Sequence, residues 1–182
     1  VCAHKYVDVS ESDFGVAILN DCKYGYGIKN NDVSLSLLRG PKYPDATCDM
    51  REHEFKYSMY VHNTSYADSK TVQRAYELNN PCVAVKATGK GSLESEYSLI
   101  STACDKLVID TVKISEDQKD IVVRAYEPYR RRGTEVLSLG VSAKKVFVTD
   151  MLENELYELP IVDGKVKVDF KPFEIITLKI YK

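Results

Sequence analysis

The stretch Lys165-Val166-Lys167-Val168-Asp169-Phe170 decides the fold class. Val166, Val168 and Phe170 recur at every second position, with Lys165, Lys167 and Asp169 between them. A period of two sends alternate side chains to opposite faces of an extended chain, so this is a strand with one dry face and one wet face. Asp163-Gly164 just before it is hairpin-turn chemistry. After it, residues 174–181 align Ile176, Leu178 and Ile180 in the same way. Upstream, residues 121–126, 135–141 and 144–149 are rich in β-branched and aromatic side chains and read as further strands. Glu116-Asp117-Gln118-Lys119-Asp120 is a polar turn between Ile114 and Ile121. Short strands at regular intervals predict a small β-sandwich for this half of the chain.

The first half continues the pattern. Residues 33–37 set Val33, Leu35 and Leu37 against two serines, and Asn30-Asn31-Asp32 supplies the turn before them. Residues 53–62 read as a strand with Phe55, Tyr57, Met59 and Val61 on its apolar face and Glu54, Lys56, Ser58 and Tyr60 opposite. One segment departs from this period. Residues 68–79 space Val72, Ala75 and Tyr76 as a helix does, with Ser65 and Asp68 available to cap it and Asn79-Asn80-Pro81 to stop it. Residues 88–96 are polar and glycine-bearing, which predicts a linker and a division near Gly91, giving domains 1–91 and 92–182. The expected class is all-β with one short helix.

Composition narrows the function. With 25 Lys+Arg against 27 Asp+Glu over 182 residues, the formal net charge of −2 argues against a protein that neutralises nucleic-acid phosphates. No run approaches the ~20 apolar residues of a membrane helix. At 44% hydrophobic residues, the chain has the means to build a core. Cys2, Cys22, Cys48, Cys82 and Cys104 are scattered singly, without a C-x-x-C pair, as in a reduced cytoplasmic protein. Asn63-Thr64-Ser65 matches a glycosylation acceptor, which matters only in a secreted chain. The sequence opens Val1-Cys2-Ala3-His4-Lys5-Tyr6, as though inside a strand, and is expected to be a piece of something longer.

Chemistry-bearing patterns are sparse. Three histidines (His4, His53, His62) and no G-x-S-x-G elbow leave nothing that reads as a nucleophile with its base. Asp45, Asp49, His53 and Glu54, with His62 further on, come nearest to a metal cluster. His53 and His62 are nine residues apart and would face opposite ways on a regular strand, so no shared metal is expected. Arg130-Arg131-Arg132-Gly133 can grip an anion or form a solvated hairpin tip. The 13 tyrosines can stack on sugar rings or simply pack. The long segment from Leu37 to Phe55, stiffened by Pro41 and Pro44 and dense in charge from Asp45 to Glu54, is either a functional loop or an ordered crossover against a neighbouring domain.

That segment also carries a family resemblance. Phe14-Gly15-Val16-Ala17-Ile18-Leu19-Asn20-Asp21-Cys22-Lys23-Tyr24-Gly25-Tyr26, Leu35-Ser36-Leu37-Leu38-Arg39, Pro41-Lys42-Tyr43-Pro44-Asp45 and His53-Glu54-Phe55 closely resemble the C-terminal region of glycoside hydrolase family 38 α-mannosidases, in their cytosolic and bacterial branch. Val123-Arg124-Ala125-Tyr126-Glu127, Thr149-Asp150-Met151-Leu152-Glu153 and Phe170-Lys171-Pro172-Phe173-Glu174-Ile175 resemble the final β-domain of the same family. The motifs follow in consistent order along nearly the whole chain.

The resemblance implies that the parent enzyme is a retaining, zinc-dependent exo-α-mannosidase in which one carboxylate forms a glycosyl-enzyme intermediate and a second serves as acid and then base. It also implies that those carboxylates and the zinc ligands lie in an N-terminal catalytic domain. No residue of this chain inherits them, and no cofactor is expected here. The first half would be the incomplete end of a galactose-mutarotase-like supersandwich, and the second half a small terminal β-sandwich. Missing strands would leave apolar faces and sheet edges bare. The expected partners are the catalytic domain, mannosides in the intact enzyme and a second copy of the chain, but neither nucleic acid nor membrane. At the rim of the mannose cleft, Asp45 and Asp49 would accept hydrogen bonds from sugar hydroxyls, Arg51 would pair with a carboxylate of the catalytic domain, and His53 would lie alongside. A self-standing mannoside-binding module and an oligomerisation domain are the alternatives.

Overall fold

The structure, a computed structural model, describes residues 1–86, 89, 91–92 and 94–182. Residues 1–86 and 87–182 form two units. Of the expected linker, Thr88, Lys90 and Leu93 lie outside the described residues.

In the first unit β1 (Tyr6–Ser10), β2 (Gly15–Asn20), β3 (Tyr26–Lys29), β4 (Asp32–Leu35) and β5 (Tyr57–His62) precede a 3-10 turn (Tyr66–Asp68) and helix α1 (Thr71–Asn79). Strands β1, β2 and β5 form an antiparallel sheet with β2 in the centre, and β3 and β4 form a separate hairpin. The hairpin turns at Asn30, whose φ of 54° is a conformation that asparagine tolerates. Helix α1 covers one face of the sheet, packing Ala75 and Leu78 with Ala17, Leu19, Tyr6 and Tyr60.

Two local expectations are corrected. The strand expected over residues 53–62 begins at Tyr57, and its apolar face is reversed. Tyr60 and His62 turn toward α1, whereas Tyr57 (60%), Met59 (71%) and Val61 (49%) are exposed. The helix supplies the reason. It occupies the side of β2 that carries Ala17 and Leu19, and the pairing of Leu19 with Ser58 and Ala17 with Tyr60 assigns the even-numbered residues of β5 to that side. The helix itself starts at Thr71. Ser65 and Asp68 hydrogen-bond each other at 2.9 Å across the 3-10 turn, and Ser69 accepts the N–H of Thr71 at 3.2 Å. At the other end Asn79 and Asn80 donate back to the carbonyls of Ala75 and Tyr76, so the expected stop is where the helix ends.

The second unit contains β6 (Ile100–Thr102), β7 (Val108–Ile114), β8 (Ile121–Tyr126), β9 (Gly133–Leu139), β10 (Lys145–Thr149), β11 (Glu155–Leu159), β12 (Ile161–Val162), β13 (Lys165–Phe170) and β14 (Ile175–Tyr181). They form a five-stranded sheet, β11-β10-β14-β8-β7, and a four-stranded sheet, β12-β13-β9-β6. Ile121, Val123, Val146, Leu178 and Ile180 from the first pack against Leu137, Val166, Val168 and Phe170 from the second. This is the sandwich that the alternation predicts. Asp163 and Gly164, at φ 50° and 69°, turn β12 into β13 in the conformation that Asp-Gly favours. Among the described residues the fold is all-β apart from one short α-helix.

Candidate functional site

The long segment between β4 and β5 is closed at its base by the turn that follows β2. Ser36 donates its N–H to the carbonyl of Gly25 at 2.8 Å. At the far end the N–H of Lys56 reaches Asp21 Oδ1 at 3.0 Å, and Asp21 returns its own N–H to the Lys56 carbonyl at 3.2 Å. The bond from Lys56, followed by that from the Cys22 thiol, holds the Asp21 carboxyl below its ordinary range. Asp21 is thus a clasp that charge counting along the loop does not reveal. Its one signal is its place in the turn Asp21-Cys22-Lys23-Tyr24-Gly25, far from the segment it secures.

Within the loop Asp49 is the hub. Its Oδ2 accepts the N–H of Gly40 at 2.6 Å and that of Arg39 at 3.3 Å. Its Oδ1 accepts the Cys48 thiol at 3.6 Å, and its carbonyl oxygen lies 3.3 Å from His53 Nε2. The Gly40 N–H leads the effects that depress the Asp49 carboxyl, so it stays ionised. Burial and the adjacent Asp49 charge push the Cys48 thiol up, which leaves it a poor nucleophile. Arg51 Nε donates to the Cys48 carbonyl at 3.0 Å. Asp45 stands apart from this hub. Its Oδ1 accepts both the N–H and the hydroxyl of Thr47 at 2.9 Å. Tyr43, joined to Pro44 by a cis peptide, is 87% exposed between Gly40 and Asp45.

Of the four residues expected at a cleft rim, the structure therefore gathers Asp49, Arg51 and His53 into one hydrogen-bonded loop and leaves Asp45 at its outer turn. His53 lies in the loop rather than on β5, so the strand-face argument that separated it from His62 does not apply. The two are nevertheless engaged separately. His62 is buried beneath α1, its Nε2 2.9 Å from Asp8 Oδ2 and its Nδ1 2.9 Å from the Thr64 carbonyl.

Zinc is the metal that the resemblance implies, and the donors present do not fit it. Among the described residues no group of three or more His, Cys, Asp or Glu side chains is placed to hold a metal ion. The Asp49–His53 contact goes through a backbone carbonyl, and both Asp49 carboxylate oxygens are taken by donors within the loop. In the second unit, Arg130 lies within a loop built around the buried Glu127, which accepts the N–H groups of Tyr129 and Arg131 on Oε1 and that of Phe173 on Oε2. This arrangement explains the tyrosine- and arginine-bearing tip as a stapled turn. The chemistry available along the candidate loop is hydrogen-bond acceptance and display of an aromatic ring.

Residues 1–47 match the glycosyl hydrolases family 38 C-terminal domain, and residues 106–178 match the glycosyl hydrolases family 38 C-terminal β-sandwich domain. The chain is 37% identical over 183 residues to alpha-mannosidase 2C1 of Homo sapiens, with 98% of the chain and 18% of that protein covered. It is 42% identical over 131 residues to alpha-mannosidase G of Dictyostelium discoideum, covering 71% of the chain and 12% of the relative. It is 32% identical over 203 residues to an alpha-mannosidase of Saccharomyces cerevisiae, covering 100% of the chain and 19% of the relative. The chain thus spans less than a fifth of the length of these relatives. An α-mannosidase structure from Enterococcus faecalis V583 superposes over 100% of the chain and 21% of its own, with TM-score 0.79 at 21% identity, which establishes likeness of fold. Matched by both family models in chain order, and with 98% of its length aligned to the human relative, the chain belongs to the C-terminal β region of glycoside hydrolase family 38.

Proposed function

We propose that this chain is the non-catalytic C-terminal part of a retaining, zinc-dependent α-mannosidase acting on terminal α-mannosides. In this reading it buttresses a catalytic domain encoded upstream and lends the loop between β4 and β5 to the rim of the mannose cleft. The observation that carries the reading is the bare face of the three-stranded sheet. Val9, Tyr57, Met59 and Val61 are all exposed on the side away from α1, beside the half-buried Val16 and Ile18. Among the described residues no strand extends the sheet beyond β1 or β5. A contiguous apolar face with open edges is what remains of a larger sandwich when its other layer is encoded elsewhere. The first unit is then the end of a supersandwich.

At the rim, Asp45 has one oxygen bound to Thr47 and the other free for a sugar hydroxyl. Arg51 spends only its Nε within the loop, which leaves its terminal N–H groups for a carboxylate of the catalytic domain. Asp49 and His53 complete the rim. Zinc and the two catalytic carboxylates belong to the upstream domain. The five free thiols suit a reducing compartment, and the cytoplasm is the proposed location.

Producing the upstream polypeptide and this chain separately tests the reading. The two should associate and together hydrolyse an aryl α-mannoside, and Met59→Glu or Val61→Glu should abolish association. Light scattering on the chain alone should show self-association through the bare face. A monodisperse monomer that neither binds the upstream piece nor affects its activity would sink the proposal. Saturable mannoside binding by the chain alone would replace it with the binding-module reading.

A further inference from the structure

The rim reading treats Asp45 and Asp49 as alike, but the loop does not. Asp49 is only half-buried, yet each of its carboxylate oxygens meets a donor from its own loop, and its Oδ2 closes a ring from Arg39 and Gly40 round to residue 49. Gly40 has a φ of 60°, a backbone conformation that turns the chain sharply at the point where its N–H meets Asp49. Between these anchors runs Pro41-Lys42-Tyr43-Pro44-Asp45, whose Tyr43 ring is almost wholly exposed. Without the Asp49 carboxylate, the N–H groups of Arg39 and Gly40 lose the acceptor that fixes where this arm leaves the hairpin. An ionised acceptor bonded to backbone N–H groups is among the stronger hydrogen-bonding arrangements, and here it spans a ten-residue gap.

We propose that Asp49 is a positioning residue. It makes no contact with the sugar, and by holding the Arg39 and Gly40 amides it sets the place of the arm that presents Tyr43 and Asp45 to the mannoside. This inference rests on the proposed cleft-rim role of the loop and assigns the work within it. Tyr43 offers a ring face for stacking on a pyranose, Asp45 offers an acceptor for a hydroxyl, and Asp49 acts through both. An interaction made equally with bound substrate and transition state changes KM and leaves kcat alone, so that is the expected kinetic signature.

The test uses the complete polypeptide that carries this chain, with Asp49→Ala, Asp49→Asn and Asp45→Ala compared by amide hydrogen exchange and by aryl α-mannoside kinetics. In Asp49→Ala the Arg39 and Gly40 amides should lose protection, and KM should rise roughly tenfold, the equivalent of one lost hydrogen bond, at unchanged kcat. Asparagine keeps a carbonyl acceptor, so Asp49→Asn should restore both. If Asp49→Ala leaves the two amides protected, the inference is wrong whatever the activity. Protection restored in Asp49→Asn without recovery of KM would mean that the carboxylate itself touches sugar, which also overturns it. If Asp45→Ala raises KM while Asp49→Ala exposes the amides and leaves KM alone, the rim reading stands and the positioning role falls. If neither substitution moves KM, the rim reading fails and takes this inference with it.

Discussion

The His62 ring lies directly over Gly15, its cross-strand partner on β2. A Cβ built on Gly15 would stand 2.5 Å from His62 Nε2 and 2.6 Å from the Cβ of Ser10, closer than such atoms approach. Glycine is required here for space and not for an unusual backbone angle. Gly15→Ala must therefore displace an imidazole that is held on both sides, and overpacking of this kind costs about 1–3 kcal/mol. Urea denaturation of the intact protein and of the variant should show that loss, with secondary structure retained in the survivor.

What holds the imidazole is Asp8 on β1. Its Oδ2 meets His62 Nε2 at 2.9 Å and accepts the Thr71 hydroxyl at 2.7 Å, joining both edge strands to the start of α1. The His62 and Asp8 side chains are 3% and 4% exposed. Asp8→Ala strands a buried imidazole nitrogen and a buried hydroxyl. Removing one member of a buried polar network costs about 3–5 kcal/mol, far more than an exposed pair would. The expected signature in hydrogen exchange is early loss of protection across α1, while the second unit is unaffected. Equal loosening of both units would refute the local role.

Much of this architecture is legible in the sequence, and the failures have physical causes. Alternation in Lys165–Phe170 and the Asp163-Gly164 turn mark the second unit, because two amphipathic sheets bury each other and the apolar positions of β10, β13 and β14 on which the reading rests lie in the core. The rule breaks at β5, where Tyr57, Met59 and Val61 form the more apolar side yet point outward. Periodicity reports which face is meant for a dry environment. It does not report whether the other side of the strand is the one that a helix covers, as α1 covers Tyr60. Charge and proline spacing mark the loop that holds Asp45, Asp49, Arg51 and His53, but not which backbone groups its side chains meet. Gly40 meets Asp49 and Lys56 meets Asp21 through backbone groups, which have no letter in the sequence. The same holds for the buried carboxylates of Glu127 and Glu135, whose partners include the backbone N–H groups of distant turns.

Glu127 makes a direct test of that last point. The residue is 1% exposed, and its carboxylate accepts three backbone N–H groups, from Tyr129 at 2.7 Å, Arg131 at 3.0 Å and Phe173 at 2.9 Å. Glutamine is nearly isosteric, but its amide nitrogen must point a donor at a donor on one side or the other. Glu127→Gln should therefore cost about 1–3 kcal/mol, although it changes neither volume nor fold. Calorimetry would measure it. A variant as stable as the parent would show that the two turns hold their shape without the carboxylate.

The turn between β7 and β8 gives the second unit an acid-sensitive component. Asp117 accepts the Ser115 hydroxyl at 2.5 Å, the Lys119 N–H at 3.3 Å and Lys179 Nζ at 3.3 Å. These bonds, the Ser115 hydroxyl first among them, bring its carboxyl from the ordinary 3.8 down to about 2. The unfolded chain therefore binds a proton at Asp117 before the folded chain does, so stability falls wherever the two states differ in protonation. The contribution is fully present above the ordinary value of 3.8 and is lost as the pH drops toward about 2. Asp117 is 43% exposed, so the effect is screened and should weaken with added salt. Melting temperature followed from pH 6 to 2 should fall less steeply for Asp117→Asn than for the parent protein, with the two curves converging at the acid end. Parallel curves would mean that the Lys179 contact and the Ser115 bond do not distinguish folded from unfolded chain, and the acid sensitivity would have to come from the other depressed carboxylates of this unit, Asp150 and Glu153.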